Sequence, residues 1–553
     1  MLSNRNIGWI LAIVIAVYCC AIGVDTMDED ASQYASLSFE MKHSGHYLQV
    51  FQQGLDYLDK PPLLFWSNCL SMQIWGETNF AIKFPSILFA ILAIYATYRL
   101  AKLYYSLSIA RLAALVLATS QALFLMTNDI RTDTILMGWV ITAIWQLAEW
   151  TQSNKPRHFF LACVATGGGL LTKGPIAGFV PVVAFGSHWL LQRNFRYFFK
   201  PIYLSGIVII AVILTPMCLG LYQQFDQHPE KIINPASHGS GLRFFFWTQS
   251  FGRITGESGW SNPAKFGFLF ENLLWEMLPW TAFFVAGFAA DWVAIIRKKF
   301  RLAPHEEFIT TGGFALTYCA LASSKYQLPH YIYVVLPLLA ISTAKILHAL
   351  FWQGQFQWVQ RLLLPVQGMV CIIGFAAPIV ILLDAFPAAV IWPWLIPLAT
   401  FSIAVFILTS NSITHKWLRL SIALSIGFNL FLSLWFFPRL LEFQPGNVVG
   451  RYISEKQIPP DQFYLYRFSG AAKNIHFYSH RIVQSIDSLT QVGRDTYLLT
   501  TPAGLTDIQS SQRKYAIILR GQNFHVSTLT KEFLNIQTRD RAVTPFLLIK
   551  LTS

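Results

Sequence analysis

"LSGIVIIAVILTPMCLGLY", Leu204–Tyr222, runs for nineteen residues without one charged side chain. A helix needs about 20 such residues to cross the hydrocarbon core of a bilayer. "GWILAIVIAVYCCAIGV", Gly8–Val24, is a second run of the same kind. In both, apolar residues occupy every face of the helix rather than one stripe, which places them in lipid and not on a soluble core. The composition agrees. Of the 553 residues, 54% are hydrophobic and 12% charged, where a soluble chain carries about a quarter charged. The 18 Trp and 45 Phe suit lipid and interface contacts. The fold class is an α-helical polytopic membrane protein.

The length rule places about thirteen spans, at roughly 8–24, 82–101, 107–126, 133–150, 158–171, 174–192, 203–222, 279–296, 308–323, 331–350, 362–383, 388–410 and 417–437, with 158–192 open to reading as one re-entrant pair. Arg5 precedes the first, and the bulky Tyr18 before Cys19 argues for a retained anchor over a cleaved leader. With the N-terminus cytoplasmic, the inner loops collect Arg99, Lys102, Lys155, Arg157, Arg193, Arg196, "RKKFR" (Arg297–Arg301), Arg361, Lys416 and Arg419. The acidic loops fall on the other side, as the positive-inside rule requires. The net charge of +13 is thereby explained by topology, and no basic stripe or stacking motif points to nucleic acid. The seven cysteines lie mostly in apolar runs and show no metal-type spacing.

Beyond residue 438 the pattern changes. "QFYLYRF", "TYLLTT", "YAIILRG" and "PFLLIKL" alternate with polar helical stretches, which predicts a small α/β domain over 439–553 outside the cytoplasm. The preceding 1–438 form the membrane domain. Its outer loops 25–80 and 223–266 are too long for simple connectors. "YASLSFEMKHSG" and "PPLLFWSNCLSMQIWG" within the first read as amphipathic segments on the bilayer surface.

The outer face carries the chemistry-bearing residues. Asp28, Glu29 and Asp30 sit against the first span. Asp30 as a helix N-cap would account for one carboxylate. Three beside hydrocarbon are costly and point to function. "NDIRTD" places Asp129 and Asp133 around Arg131, which a cap and an ion pair would also explain. "TKGP" and "SSKYQLP" each raise one lysine, Lys173 and Lys325, to the same face. A single such lysine is a snorkelling anchor. Several cations on one face can hold a phosphate, and acids there can handle a hydroxyl or a metal.

Taken together, "EDASQYASLSFEM", "DKPPLLFW", "RTDTILM", "LLTKGP" and "SSKYQLPHYIYVVLPLLAI" resemble the C-type glycosyltransferases of membranes. The likeness is strongest to the lipid A aminoarabinose transferase branch, related to protein O-mannosyltransferases, and covers about residues 1–345. It implies transfer of a sugar from a polyprenyl-phosphate carrier to a lipid A-like or other cell-envelope acceptor. It implies a multi-pass protein of a bacterial inner membrane with its site on the periplasmic face. By the same resemblance, Asp30 and Asp133 take the catalytic positions. Lys60, Arg253 and Tyr331 would bind the donor phosphate, with His330 as the alternative to Tyr331. Asp59, Arg131, Lys173 and Lys325 would support them.

The family's metal-ligand histidine falls on Ser250, a poor zinc ligand. His238, twelve residues upstream in the same loop, could replace it. Stoichiometric zinc is therefore not expected, while Asp59, Asp30 or Asp133 leave a hard divalent cation open. The competing function is a lipid or solute transporter, which would place ionic groups at mid-span and break helices at the bilayer centre. Glu271, Glu276, Asp291 and Asp384 are the few candidates.

Overall fold

The computed structural model describes residues 4–231, 239–411, 415–468 and 473–552. His238 lies outside the described residues. Each of the thirteen apolar runs is helical. They include α1 (Asn4–Cys20), α4 (Asn79–Tyr104), α5 (Leu107–Ala118), α6 (Gln121–Asn128), α7 (Thr132–Ser153), α8 (Pro156–Lys173), α9 (Ile176–Leu191) and α10 (Ile202–Leu221). By length and hydropathy six helices among the described residues can span a membrane, or seven with α5 and α6 as one bent span. The other runs are helices too short or too polar to meet that test alone.

The expected span 107–126 bends by 51° between α5 and α6. The turn at 277–280 and the helix Lys416–Phe431 supply hydrogen-bond partners at the break. The Trp280 indole donates to Thr119 Oγ1 (2.9 Å), Ser425 Oγ donates to the Thr119 carbonyl (2.8 Å), and the Gln121 N–H donates to the Leu278 carbonyl (2.9 Å). A break at membrane depth persists only where protein supplies such partners. Lys83 of α4 is buried and donates to the carbonyls of Ala21 and Val24, just past the end of α1. A cation is favoured there by the exposed carbonyls of the helix end.

The two surface segments are helices, α2 (Asp30–Ser44) and α3 (Leu63–Trp75), and a two-residue hairpin, β1 (Phe51–Gln52) with β2 (Leu55–Asp56), lies between them. Gly45, at φ +73°, closes α2 with its N–H on the Met41 carbonyl. Tyr34, Leu37 and Phe39 of α2 pack with Leu64, Phe65 and Cys69 of α3 into a core of their own. Gly220 of α10 lets the Leu48 carbonyl lie directly on the helix, where a Cβ would strike it.

The C-terminal part forms a five-stranded mixed sheet of β3 (Phe463–Tyr466), β4 (Gln484–Ile486), β5 (Tyr497–Thr500), β6 (Tyr515–Asn523) and β7 (Thr544–Leu551), in the order β4-β3-β5-β7-β6. The four expected strands are present. The fifth, β4, has three residues at the edge and pairs in parallel with β3. Val449 and Ile453 of the helix Pro445–Glu455 pack on Phe463, Leu465 and Leu548 of the sheet.

This part is fastened to the start of the chain. Gln444 Nε2 donates to the Thr26 carbonyl and its Oε1 accepts the Asp28 N–H, both at 2.9 Å. The Tyr478 hydroxyl accepts the Thr26 N–H and donates to Asn79. The Glu77 carboxylate meets Lys42 (2.6 Å), His43 (2.7 Å) and His480 (2.9 Å). Segment 25–44 is thus held from below by the membrane helices and from above by the sheet domain.

Candidate active site

A cavity of about 550 Å³ opens at one end of the helix bundle. Six separate stretches of chain reach it, which is why no local pattern contains the whole site. α2 begins with Asp30, which lines the cavity and is 37% exposed. Glu29, not Asp30, occupies the N-cap, and its side chain makes no capping bond. The capping account of Asp30 therefore fails, and its carboxylate is left for the cavity and for Arg131. At the first turn of a helix, that carboxylate is favoured by the backbone dipole.

The turn before α3 supplies Asp59 and Lys60, which form an ion pair with each other. Gln249 Nε2 donates to Asp59 Oδ1 (3.2 Å), and Arg253 Nη2 lies 3.9 Å from the same oxygen. Burial pushes the Asp59 carboxyl up, but Lys60, Arg253 and Gln249 outweigh it and hold it below the usual carboxylate range. Arg253 donates to the Tyr331 hydroxyl at 2.5 Å. Its guanidinium also lies 4.5 Å from the centre of the Trp260 ring and 5.7 Å from those of Tyr326 and Tyr331. An aromatic cage of this kind holds a cation in one place.

α8 and α9 supply Lys173 and Pro175 on either side of Gly174, whose φ of +91° turns the chain between the two helices. Asp133, in the first turn of α7, is buried behind the cavity with its side chain 5% exposed and bonds Lys173 Nζ at 2.5 Å. It reaches the cavity through that lysine. Beside it lies Glu276, fully buried, with no hydrogen-bond partner on either oxygen. Burial, reinforced by Asp133, raises that carboxyl well above its ordinary range.

Arg131, between α6 and α7, gathers a second cluster. Its Nε donates to Asp129 Oδ2 (2.9 Å), and its Nη1 reaches both Asp30 Oδ2 and His330 Nδ1 at 3.3 Å. Burial works against the guanidinium, but Asp129 and Asp30 prevail and raise its pKa.

Of the residues expected from the sequence, Asp30, Asp59, Lys60, Lys173, Arg253 and Tyr331 line the cavity, as does His330. Asp133 and Arg131 stand one layer behind. Lys325 differs: its Nζ donates to the Thr255 carbonyl (3.3 Å), and its neighbours Ser324 and Tyr326 line the cavity instead. Trp260 and Tyr326 were not expected. Their only sequence signal is an aromatic residue in a polar outer loop. The donor set around Asp59 is two cations and an amide, which does not fit a divalent metal. Among the described residues no group of three His, Cys, Asp or Glu side chains is placed to hold one.

Residues 59–219 match the family described as dolichyl-phosphate-mannose-protein mannosyltransferase. The chain is similar to an undecaprenyl phosphate-alpha-4-amino-4-deoxy-L-arabinose arabinosyl transferase of Edwardsiella ictaluri, with 26% identity over 63% of this chain and 61% of the relative. A like-named transferase of Proteus mirabilis shows 25% identity over 62% of this chain and 60% of its own. The matched region spans about three fifths of the length of these curated relatives. Among solved structures, ArnT from Cupriavidus metallidurans bound to undecaprenyl phosphate superposes with a TM-score of 0.73 at 15% identity, covering 99% of this chain and 98% of that one. At that identity the likeness is one of fold. The resemblance read from the outer motifs is borne out: the chain has the fold of a C-type glycosyltransferase and is similar to the aminoarabinose transferases.

Proposed function

We propose that this protein transfers a sugar from a polyprenyl-phosphate carrier to a lipid A-like or other cell-envelope acceptor at the outer face of a bacterial inner membrane. The observation that carries this reading is the pairing, in one cavity, of a caged cationic wall (Lys60, Arg253) with a partly exposed carboxylate (Asp30). The first suits a carrier phosphate lying at the interface. The second suits an acceptor. Lys60 and Arg253, with the Tyr331 hydroxyl on Arg253, hold the phosphate and stabilise the charge that grows on it as the glycosidic bond breaks. Asp30 orients the acceptor oxygen, and takes its proton when that oxygen is a hydroxyl. Asp133 acts by fixing Lys173. The apolar lining of Phe179, Phe251, Ile254 and Leu328 keeps water from the donor, which would otherwise be hydrolysed.

The topological reading belongs to the same proposal: thirteen spans in 1–438, an inner N-terminus, and an outer α/β domain over 439–553. A reporter fused after residue 438 is active outside the cytoplasm and one fused near Lys299 inside. Activity on the opposite side at either site overturns the orientation. A transporter is not favoured, because Asp30, Asp59, Lys60, Lys173 and Arg253 gather in one cavity, while Asp291 of the transporter candidates is committed to Lys345 at 2.5 Å. The direct test is mass spectrometry of surface glycolipids from cells lacking the gene. A glycolipid species lighter by one sugar, restored by the wild-type chain, is expected. An unchanged glycolipid profile refutes the reading.

A further inference from the structure

Two adjacent residues, His330 and Tyr331, belong to different clusters. Tyr331 accepts from Arg253 and lies with its ring centre 4.7 Å from Lys173 Nζ. It belongs to the wall of Lys60, Asp59 and Gln249. His330 turns the other way. Its Nδ1 lies 3.3 Å from Arg131 Nη1, and the same Nη1 is 3.3 Å from Asp30 Oδ2. Both residues sit on the first turn of the 3-10 segment Pro329–Val335, where consecutive side chains diverge by about 120°. The junction between the two walls of the cavity therefore runs between residues 330 and 331.

The Arg131 contact also fixes the chemistry of the imidazole. A guanidinium is always protonated and can only donate. His330 Nδ1 must then be the acceptor, so it carries no hydrogen, and the ring's single hydrogen resides on Nε2. Among the described residues nothing takes that Nε2–H, and the His330 side chain lines the cavity. Arg131 is itself held by Asp129 and Asp30, so the ring is braced by a charged residue already committed to two carboxylates. A fixed donor, unused by the protein and aimed into a substrate cavity beside Asp30, needs an oxygen to bond.

We propose that His330 is an acceptor-positioning residue, its Nε2–H donating to an acceptor-substrate oxygen next to the one that attacks. This rests on the reading of Asp30 as the acceptor-side carboxylate. In the transfer, the acceptor oxygen bonds the anomeric carbon as the bond from that carbon to the carrier phosphate oxygen breaks. The bonding pair leaves with the phosphate, and the proton of a hydroxyl acceptor passes to Asp30. His330 gives up no proton. It sets the angle at which the acceptor meets the sugar, and so selects acceptors with a second oxygen beside the nucleophile.

The test uses His330→Phe, which keeps a ring but removes both nitrogens, and His330→Gln, whose amide can accept from Arg131 through oxygen and donate through nitrogen. Each full-length variant is expressed in cells lacking the native gene, and the modified surface glycolipid is measured by mass spectrometry. Binding of undecaprenyl phosphate to the purified proteins is measured alongside. His330→Phe lowers the modified glycolipid about tenfold, the scale of one lost hydrogen bond in a buried site. His330→Gln restores it to within about threefold, and both variants bind undecaprenyl phosphate as wild type does. A tenfold loss of undecaprenyl phosphate binding in His330→Phe would move the residue to the donor wall and overturn the proposal. So would wild-type product from His330→Phe, or a His330→Gln variant as poor as His330→Phe. Asp30→Asn in the same cells separates the two readings. If it keeps full product, the acceptor-side reading itself fails. If it abolishes product while His330→Phe does not, only the role of His330 falls.

Discussion

Arg253→Ala should weaken undecaprenyl phosphate binding more than its one missing charge suggests. A charge-assisted hydrogen bond contributes about 1.5–3 kcal/mol, and about 1.4 kcal/mol is a tenfold change in Kd. Loss of the direct contact alone therefore predicts roughly ten- to 150-fold. The geometry pushes the result toward the upper end. Arg253 lies 3.9 Å from Asp59 and helps to offset it. Without Arg253, Asp59 is balanced by Lys60 alone, and the phosphate then competes with Asp59 for the remaining cation. Arg253→Lys keeps the charge, but a lysine cannot bond Tyr331 and fork onto a phosphate at once, so an intermediate loss of about tenfold follows. The cage of Trp260, Tyr326 and Tyr331 should also loosen, at about 0.5–2 kcal/mol of stability, seen as a lower Tm. The assay is titration of purified protein in nanodiscs with undecaprenyl phosphate, followed by thermophoresis. Arg253→Ala and Lys60→Ala both binding within twofold of wild type would refute the phosphate clamp.

Asp30→Asn should abolish transfer while leaving expression and undecaprenyl phosphate binding close to wild type. Asp28→Asn should matter less, because Asp28 is buried away from the cavity, and turnover measured side by side decides between them. Gln444→Ala removes two buried partners of the segment before Asp30, worth about 1–3 kcal/mol, and should lower turnover and speed amide exchange over 26–36 while donor binding stays unchanged. Slow exchange there would show that Gln444 is dispensable. Burial raises the Glu77 carboxyl, but hydrogen bonds from Lys42, His480 and His43 outweigh it and bring it to about 2 from an ordinary 4.5. The contribution of Glu77 is therefore complete above about pH 4.5 and is lost as the pH falls toward 2. Glu77→Gln should lower Tm at pH 6 and flatten its decline between pH 5 and 3, and parallel wild-type and variant curves would contradict this.

The apolar helices were legible because lipid imposes simple local rules on composition, although only six of them, or seven with α5 and α6 joined, meet the length and hydropathy of a span among the described residues. Leu204–Tyr222 reads as a membrane helix throughout, whereas Tyr34–Gly45, expected as an amphipathic surface segment, is buried on every face from Tyr34 to Phe39 because it packs under the C-terminal part as well as on α3. Strands β3, β5, β6 and β7 were readable from their apolar runs, whereas "QSI" at Gln484–Ile486 is too short to carry a period. The break at Thr119–Ser120 was not readable, since the indole, hydroxyl and carbonyl that stabilise it come from residues 280, 425 and 278. The site was half legible. Charged residues beside apolar runs announce themselves, so Asp30 and Lys173 stood out, whereas the roles of Lys60 and Arg253 came only from the family resemblance. Partnership is not encoded locally. That Lys325 turns to the Thr255 carbonyl, that Asp133 sits behind Lys173, and that His330 and Tyr331 face different walls are facts about separate segments brought together.

The Gln444 fastening has a consequence for how the molecule is made. Thr26 and Asp28 leave the ribosome early, but the side chain that holds their backbone follows Asp28 by 416 residues. At about 5–20 residues per second, synthesis alone separates the two by roughly 20–80 s. The first part of the site to be synthesised is thus among the last to be locked. A chain arrested part-way through synthesis would sit in the bilayer with its cationic wall assembled and its acceptor wall unsecured, able to capture carrier lipid before it could use it. On the proposed function, completion of the C-terminal domain becomes, in effect, the step that licenses transfer.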